Sequence, residues 1–220
     1  MSDQSPSADG AGVPRAGDVL VLTKPLGLGV AAVAAQAGAA PPALLEAATA
    51  AREASNGPAA EVVGQLGLPS ATVGEDGLLG ALHGMVTAGG VGAALRIDRV
   101  PVLDGILQMV SAGHVTEAAE ANRERLADHV DFDERVTDEA RALLFDPQAE
   151  GGLLVAVATA RLTELLTGLG ARGVRGLPIG QLLPQPAGRI GVVTPITRLG
   201  VSGGGSRTAK PVEDPPPQPE

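Results

Sequence analysis

Hydrophobic residues recur at two spacings along this chain, and these spacings predict strands and helices in turn. Apolar, β-branched runs of roughly four to eight residues are typical of buried strands, whereas apolar residues three and four apart are typical of amphipathic helices. The pattern predicts strands over residues 18–23, 68–73, 92–97, 153–157, 176–183 and 189–194, the last two as a pair. It predicts helices over residues 29–36, 41–54, 58–66, 77–88, 103–112, 117–126, 137–144 and 159–169.

Strands at both ends of a helix-rich middle indicate an α+β fold, in which a mixed sheet has helices packed on it. We expect one folded domain over residues 17–195. Residues 1–16 and 196–220 are rich in small and polar residues, glycine and proline, and have too few apolar residues to form a core. Both segments are therefore expected to be disordered tails.

The composition narrows the possible classes of protein. The 220-residue chain is 44% hydrophobic but has two Phe and no Tyr or Trp, so Phe132 and Phe145 are the only large rings available to its core. The absence of cysteine excludes disulfides, thiolate metal sites and a cysteine nucleophile. A net charge of −9 argues against general nucleic-acid binding. With no signal-peptide pattern and no long apolar run, we expect a soluble cytoplasmic protein without membrane partners.

Two glycine-bearing loops stand beside apolar strands and are candidate binding sites. The first, Gly27-Leu-Gly29, opens a helix whose free N–H groups can hold an anion, and Lys24 precedes it. The alternative is a tight turn with a solvated lysine, because no complete phosphate-loop or dinucleotide motif is present. The second loop covers residues 146–152. The candidate phosphate- or nucleotide-binding residues are Lys24, Gly27, Gly29, Asp146, Gly151 and Gly152.

The three histidines give no sign of a metal or catalytic site. His83, His114 and His129 lack the spacing of metal ligands, and we interpret them as structural or solvent-facing. Serines and acids are numerous, but nothing in the sequence places a Ser, His and Asp together. No catalytic residue is therefore predicted.

Both loops resemble stretches of the selenophosphate synthetase family, within the aminoimidazole-ribonucleotide-synthetase-related superfamily. Lys24-Pro-Leu-Gly-Leu-Gly29 is similar to the family's Lys-Pro-Leu-Gly-Thr-Gly. Phe145-Asp-Pro-Gln-Ala-Glu-Gly-Gly-Leu-Leu154 is similar to its Phe-Asp-Pro-Gln-Thr-Ser-Gly-Gly-Leu-Leu. Three hydroxyl residues are replaced, by Leu28, Ala149 and Glu150, and the added carboxylate is unfavourable beside a phosphate. The resemblance runs through residues 17–193 and implies the fold of the superfamily's carboxyl-terminal domain.

The resemblance also implies a magnesium ligand that this chain lacks. The family's Asp-Val-Thr-Gly-Phe-Gly-Leu-Leu-Gly-His corresponds to Thr72-Val-Gly-Glu-Asp-Gly-Leu-Leu-Gly-Ala81, so Thr72 stands at the metal-ligand position. Magnesium prefers hard, charged oxygen ligands, and threonine is a poor substitute. Glu75 or Asp76 can replace the carboxylate from a shifted backbone, or both are solvated loop acids. We expect no metal site in this chain by itself.

In the family, the reactive Cys or selenocysteine and its companion Lys lie in an amino-terminal domain to which nothing here corresponds. The resemblance therefore implies a stand-alone carboxyl-terminal domain, inactive alone, that binds a partner or a phosphate-bearing ligand. The alternative is one half of a split enzyme that makes selenophosphate from selenide, ATP and water with a separate amino-terminal chain. Mg and ATP are then expected only where a partner chain completes the site. Family members pair, so a homodimer is also expected.

Overall fold

The computed structural model describes residues 12–194, which form a seven-stranded sheet and eight α-helices. The strands are β1 (Asp18–Leu22), β2 (Ser70–Thr72), β3 (Gly92–Arg96), β4 (Val130–Phe132), β5 (Leu153–Ala158), β6 (Leu177–Leu183) and β7 (Ile190–Val193). The helices are α1 (Leu28–Gln36), α2 (Pro42–Glu53), α3 (Gly57–Gln65), α4 (Gly77–Gly89), α5 (Ile106–Ser111), α6 (Glu117–Leu126), α7 (Asp138–Phe145) and α8 (Leu162–Ala171). The predicted α+β class with a mixed sheet is confirmed.

The strand order is β2-β5-β1-β6-β3-β7-β4. Neighbours from β2 to β3 are antiparallel, while β7 runs parallel to both β3 and β4. In the β1–β5 pair, Asp18 lies opposite Ala158 and Leu22 opposite Leu154. The carboxyl end of β1 and the amino end of β5 therefore lie side by side, at the same end of the sheet's strands. This pairing brings the loop after β1 next to the loop before β5, although more than a hundred residues separate them in sequence.

Strand β1 lies inside the sheet and is buried on both faces, and its successive side chains point to opposite sides. Leu20 and Leu22 pack into the larger core, with buried residues of α1, α2 and α4–α7. Val21 packs into a smaller core with Val155 and Val157 and with α3 and α8. Helices therefore cover both faces, and strands buried on two sides explain the continuous apolar runs of the sequence.

Two strand predictions need correction. Residues 176–183 and 189–194 do not pair with each other: β6 pairs antiparallel with one side of β3, and β7 pairs parallel with its other side. Hydrogen bonds from Gly188 N to Val91 O (2.8 Å) and from Ala93 N to Arg189 O (2.9 Å) hold β7 in that place. Strand β4 was not predicted, because three residues are too few to show a period.

The element boundaries also differ from prediction in places. The predicted strand over 68–73 is reduced to β2, the helix over 103–112 to α5, and the helix over 159–169 begins as a 3₁₀ turn, Thr159–Arg161, before α8. Described residues ahead of Gly17 also contact the domain, since Gly12 N donates to Gly67 O at 3.1 Å and Pro14 is buried. The tail predictions for residues 1–11 and 196–220 lie outside the described residues.

Candidate functional site

The loop between α7 and β5, residues 146–152, lies against the first turn of α1. Gln148 is 2% exposed, and its Oε1 accepts hydrogen bonds from Gly27 N at 3.0 Å and Leu28 N at 3.1 Å. The first N–H groups of a helix have no partner inside the helix. The Gln148 amide therefore caps α1 from a distant part of the chain.

A buried carboxylate completes this cap. Asp146 is 1% exposed, and its Oδ2 accepts from Val30 N at 3.2 Å and from Gln148 Nε2 at 2.9 Å. Its Oδ1 accepts from Thr116 Oγ1 at 3.3 Å, which ties in the residue that caps α6. A negative charge at a helix amino terminus is stabilised by the helix dipole. The Asp146 and Gln148 side chains together occupy the place that an anion would take at α1.

Burial raises the pKa of Asp146 to about 6, and hydrogen bonds from Val30 N, the Gln148 amide and the Thr116 hydroxyl oppose this rise. Removing a carboxylate from water disfavours its charged form, whereas donors to the oxygens favour it. The group thus changes protonation near neutral pH, in a network that joins α1, α6 and the 146–152 loop.

Four glycines of the two loops lie in close contact with other parts of the chain. A Cβ on Gly29 would lie 2.5 Å from Asp146 Oδ1, and one on Gly152 would lie 2.6 Å from Lys24 N. A Cβ on Gly151 would overlap the Val73 carbonyl, and Gly27 has a φ of +116°. Only glycine tolerates these positions without displacing the backbone. Gly29 and Gly152 thus permit the contact between the two loops, whereas Gly151 packs against the Val73 carbonyl and Gly27 against the Ile106 side chain.

Lys24 is buried, with 8% exposure, and its Nζ donates to Glu150 O at 2.8 Å. Burial lowers the pKa of Lys24, while the charge of Glu150 raises it. Glu150 adopts a left-handed backbone with a φ of 59°. The lysine therefore joins the end of β1 to the second loop. The structure brings all six predicted site residues together, and it engages Lys24 and the α1 amides within the chain.

Residues 72–81, which correspond to the family's magnesium-binding stretch, do not gather their oxygen atoms around one point. Thr72 is exposed on β2, and the Asp76 carboxylate is 2.7 Å from Arg125 Nη2. The backbone carbonyl of Glu75 accepts from Asn122 Nδ2 at 2.9 Å. Across residues 12–194, no three His, Asp or Glu side chains gather as a metal site. This donor set does not fit magnesium, which requires several oxygen ligands in octahedral geometry.

The rings of His83 and His129 lie 4.4 Å apart, a contact that their sequence positions did not indicate. Burial lowers the pKa of His83, and the neighbouring His129 and Arg125 lower it further. His83 comes from α4 and His129 precedes β4. The pair therefore links these two elements.

None of the helices within residues 12–194 is long and apolar enough to cross a membrane.

Sequence reasoning missed Gln148, which contributes most to the cap, and Asn122. Gln148 lies inside the Asp-Pro-Gln stretch, so its position was visible, but its partners are not neighbours in sequence. Asn122 is 7% exposed, and its Nδ2 donates to the carbonyls of Glu75 and Phe145. A buried amide within an otherwise charged helix is the signal that identifies such a residue.

Comparison with known proteins agrees with this architecture. Selenide, water dikinase from Pelobacter propionicus is 36% identical over 178 residues, which cover 80% of this chain and 51% of that protein. The enzyme of the same name from Carboxydothermus hydrogenoformans is 34% identical over 168 residues, covering 76% and 49%. The chain thus spans about half the length of these curated relatives.

Solved structures show the same fold at low identity. Thiamine-monophosphate kinase from Stenotrophomonas maltophilia superposes with a TM-score of 0.54 at 19% identity, covering 82% of this chain and 51% of that one. Hydrogenase maturation protein HypE superposes with a TM-score of 0.53 at 18% identity, covering 89% and 54%. The model of AIR synthase related protein, C-terminal domain, matches residues 15–193. The chain therefore belongs to the AIR synthase related protein C-terminal domain family.

Proposed function

We propose that this chain is a selenophosphate-synthetase-like carboxyl-terminal module that has no turnover alone and acts by binding a partner chain. The observation that supports this most directly is that the sequence has no cysteine to serve as a nucleophile. Gln148 and Asp146 take up the N–H groups of Gly27, Leu28 and Val30, and this cap ties the two loops of the module together.

The partner proposed is a chain equivalent to the other half of the curated relatives. The described chain corresponds to about half of each, and its family is that of a carboxyl-terminal domain. Two folded domains of one enzyme commonly bury a contact surface even when they lie on separate chains. Self-association into a homodimer is also part of this proposal.

A second candidate function is the split enzyme, favoured by the 36% identity to a selenide, water dikinase. In that assembly, a separate amino-terminal chain supplies the nucleophile, and the pair makes selenophosphate from selenide, ATP and water. The candidate phosphate contacts of this chain are then Lys24, Gly27, Gly29, Asp146, Gly151 and Gly152. Because its donor set does not fit magnesium, the ligands for Mg-ATP come from the partner.

One experiment separates these functions. The purified chain is incubated with selenide and Mg-ATP, and ATP consumption is measured with and without the amino-terminal half of the Pelobacter propionicus enzyme as a separate chain. We expect no consumption by this chain alone and binding of the added half in calorimetry. Turnover only in the mixture favours the split enzyme. Turnover by the chain alone contradicts both, and absence of any binding contradicts the partner-binding module.

A Gln148→Glu variant sharpens the test of phosphate binding. The added charge at the amino terminus of α1 repels a phosphate, and the side chain keeps its length and its acceptor oxygen. Glutamate loses the Nε2 donor to the Asp146 carboxylate, so far-UV circular dichroism first checks that the variant is folded. If phosphate binds at this loop, calorimetry with ATP should show weaker binding for this variant than for the parent. Equal and negligible binding by both is the result that the partner-binding module requires.

A further inference from the structure

A cavity of about 180 Å³ lies between α6, α7 and β4. This volume is too small for a drug-sized ligand and suits a molecule of a few carbon atoms. The Phe132 and Phe145 rings, whose centroids are 6.0 Å apart, form part of its wall in an edge-to-face arrangement. The other apolar wall residues are Val115, Ala119 and Ala142. A short apolar group placed here would be removed from water against these side chains.

Four charged residues line the same cavity, two of each sign. They are Glu120 and Arg123 of α6, and Asp138 and Arg141 of α7. Glu120 and Arg123 already form an ion pair, with the carboxylate 3.3 Å from the guanidinium. The four charges sum to zero, so they favour a ligand that carries both signs over an anion or a cation alone.

The Arg141 guanidinium is only weakly engaged within the chain. Its Nη2 lies 3.4 Å from the Asp133 carbonyl, and its Nη1 lies 3.8 Å from Asp138 Oδ1. Its Nε is buried and has no hydrogen-bond partner across residues 12–194. Buried donors in folded proteins nearly always have an acceptor, so this arginine has unused capacity to bind one. The guanidinium lies over the Phe132 ring, 5.2 Å from its centroid, which keeps it beside the apolar wall.

We propose that this cavity binds a free α-amino acid with an apolar side chain of about the size of leucine. The α-carboxylate accepts from Arg141, the α-ammonium donates to Asp138, and the side chain packs on Phe132 and Phe145. A single carbon joins the two charged groups of an amino acid, so their partners must be close together. Arg141 Nη1 and Asp138 Oδ1 meet this condition at 3.8 Å.

Binding requires the guanidinium to turn so that Nε and one Nη donate side by side to the carboxylate, the arrangement in which arginine holds carboxylates most strongly. The turn costs little, because the contacts given up are long and the Asp138 side chain is 97% exposed. A surface ion pair of that kind contributes little to stability. The Glu120–Arg123 pair is left intact at the other side of the cavity.

This site goes beyond the proposed function and does not depend on it, because it uses none of the residues that cap α1. It is tested by amide NMR and calorimetry of the isotope-labelled full chain with three ligands of one carbon skeleton. Leucine carries both charges, 4-methylpentanoate lacks the ammonium, and 3-methylbutylamine lacks the carboxylate. We expect leucine to bind with a dissociation constant of about 1 mM or below. Each analogue should bind about ten-fold more weakly, because one charged hydrogen bond is lost.

Two variants separate the roles of the charged residues. Asp138→Asn should weaken leucine binding by about ten-fold and leave 4-methylpentanoate binding unchanged, a pattern that loss of folding does not produce. Arg141→Gln should weaken both ligands, with far-UV circular dichroism as the check of folding. The matched controls are Asp104→Asn and Arg52→Gln, at exposed positions outside the cavity, and they should bind leucine like the parent.

The amide resonances of Ala119 and Ala142 should shift as leucine is added, since both residues line the cavity. Absence of these shifts at leucine concentrations about ten-fold above the expected constant overturns the inference. So does 4-methylpentanoate that binds as tightly as leucine, or an Asp138→Asn variant that binds leucine like the parent.

Discussion

Gln148 joins two segments that lie 121 residues apart, because its side-chain oxygen accepts the backbone N–H of Gly27 at 3.0 Å. A single buried amide therefore fixes the start of the first helix relative to the loop that precedes β5. The same amide donates through Nε2 to the Asp146 carboxylate, so the cap and the buried acid form one network. This network, rather than a bound anion, satisfies the helix terminus.

Gln148→Ala should destabilise the protein by about 2 kcal/mol or more, because it leaves the buried amides of Gly27 and Leu28 without an acceptor. Urea unfolding followed by far-UV circular dichroism measures this, since the chain has no Trp or Tyr to report by fluorescence. The control is Gln108→Ala on the exposed side of α5, expected within about 0.5 kcal/mol of the parent. Equal midpoints for the two variants would show that the cap contributes little.

Asp146 should make the protein more stable as the pH falls through its folded pKa of about 6. The folded state binds this proton more tightly than the unfolded chain, whose aspartate pKa is about 3.9. The contribution is thus largest below about pH 4 and is lost as the pH rises from there to above 6. At low pH, this pKa shift corresponds to an increase of up to about 3 kcal/mol in the free energy of unfolding. Denaturant midpoints of the parent and Asp146→Asn, compared at each pH, isolate this contribution from those of other acids.

The difference between these two proteins should change across the stated pH window and be constant above it. Asparagine keeps an acceptor for Val30 N, so Asp146→Asn is expected to fold. A pH-independent difference would mean that Asp146 titrates at its ordinary value in the folded state.

His83 should titrate below the usual histidine value, because burial and the nearby His129 and Arg125 disfavour its charged form. A depressed folded pKa means that the neutral imidazole is favoured by the fold. Its contribution to stability is present above about pH 6.5 and is lost as the pH falls below that value. Proton NMR of the imidazole resonances measures the midpoint. His129→Gln should move the His83 midpoint upward, and a parent midpoint at or above the ordinary value would contradict the expectation.

Gly152→Ala should destabilise the fold strongly, because the added Cβ would lie 2.6 Å from the backbone nitrogen of Lys24. Lys24 and Gly152 lie just beyond the paired ends of β1 and β5, where the bond from Thr23 N to Leu153 O would be lost if the two segments moved apart. Gly64→Ala in α3 is the matched control, since nothing lies within 4 Å of its Cβ position. Alanine there should stabilise the helix by about 0.5–1 kcal/mol. Thermal unfolding of both variants should show a lower midpoint temperature for Gly152→Ala and a higher one for Gly64→Ala. Similar changes in the two midpoints would contradict the close contact of Gly152 with Lys24.

Much of the fold was predictable from local pattern. The stripe of apolar residues that defines α4 and the uninterrupted runs of β1 and β5 are strong signals, because their burial depends on spacing within the element itself. Strand β4 and the place of β7 were not predictable. Three residues show no period, and β7 is placed by hydrogen bonds to β3 and β4, which lie far away in sequence.

The candidate site, too, was predictable only in part. Lys24, the glycines and Asp146 were identifiable as residues of two loops, but their geometry depends on what faces them. The helix amides expected to be free are occupied by Gln148 and Asp146, and the lysine expected near a phosphate donates to a backbone carbonyl. The sequence shows which groups can form hydrogen bonds, whereas the choice of partner depends on packing.

The amino-acid sequence alone determined the α+β class, most of the helices and strands, and the resemblance of its two glycine-bearing loops to one family. These features follow from periodicity and residue type, which act over a few neighbouring residues. Only the tertiary structure decided that the antiparallel pairing of β1 with β5 brings the two loops together and that a buried glutamine fills the helix terminus. Contacts across more than a hundred residues depend on the closure of the whole sheet, and no local pattern encodes them.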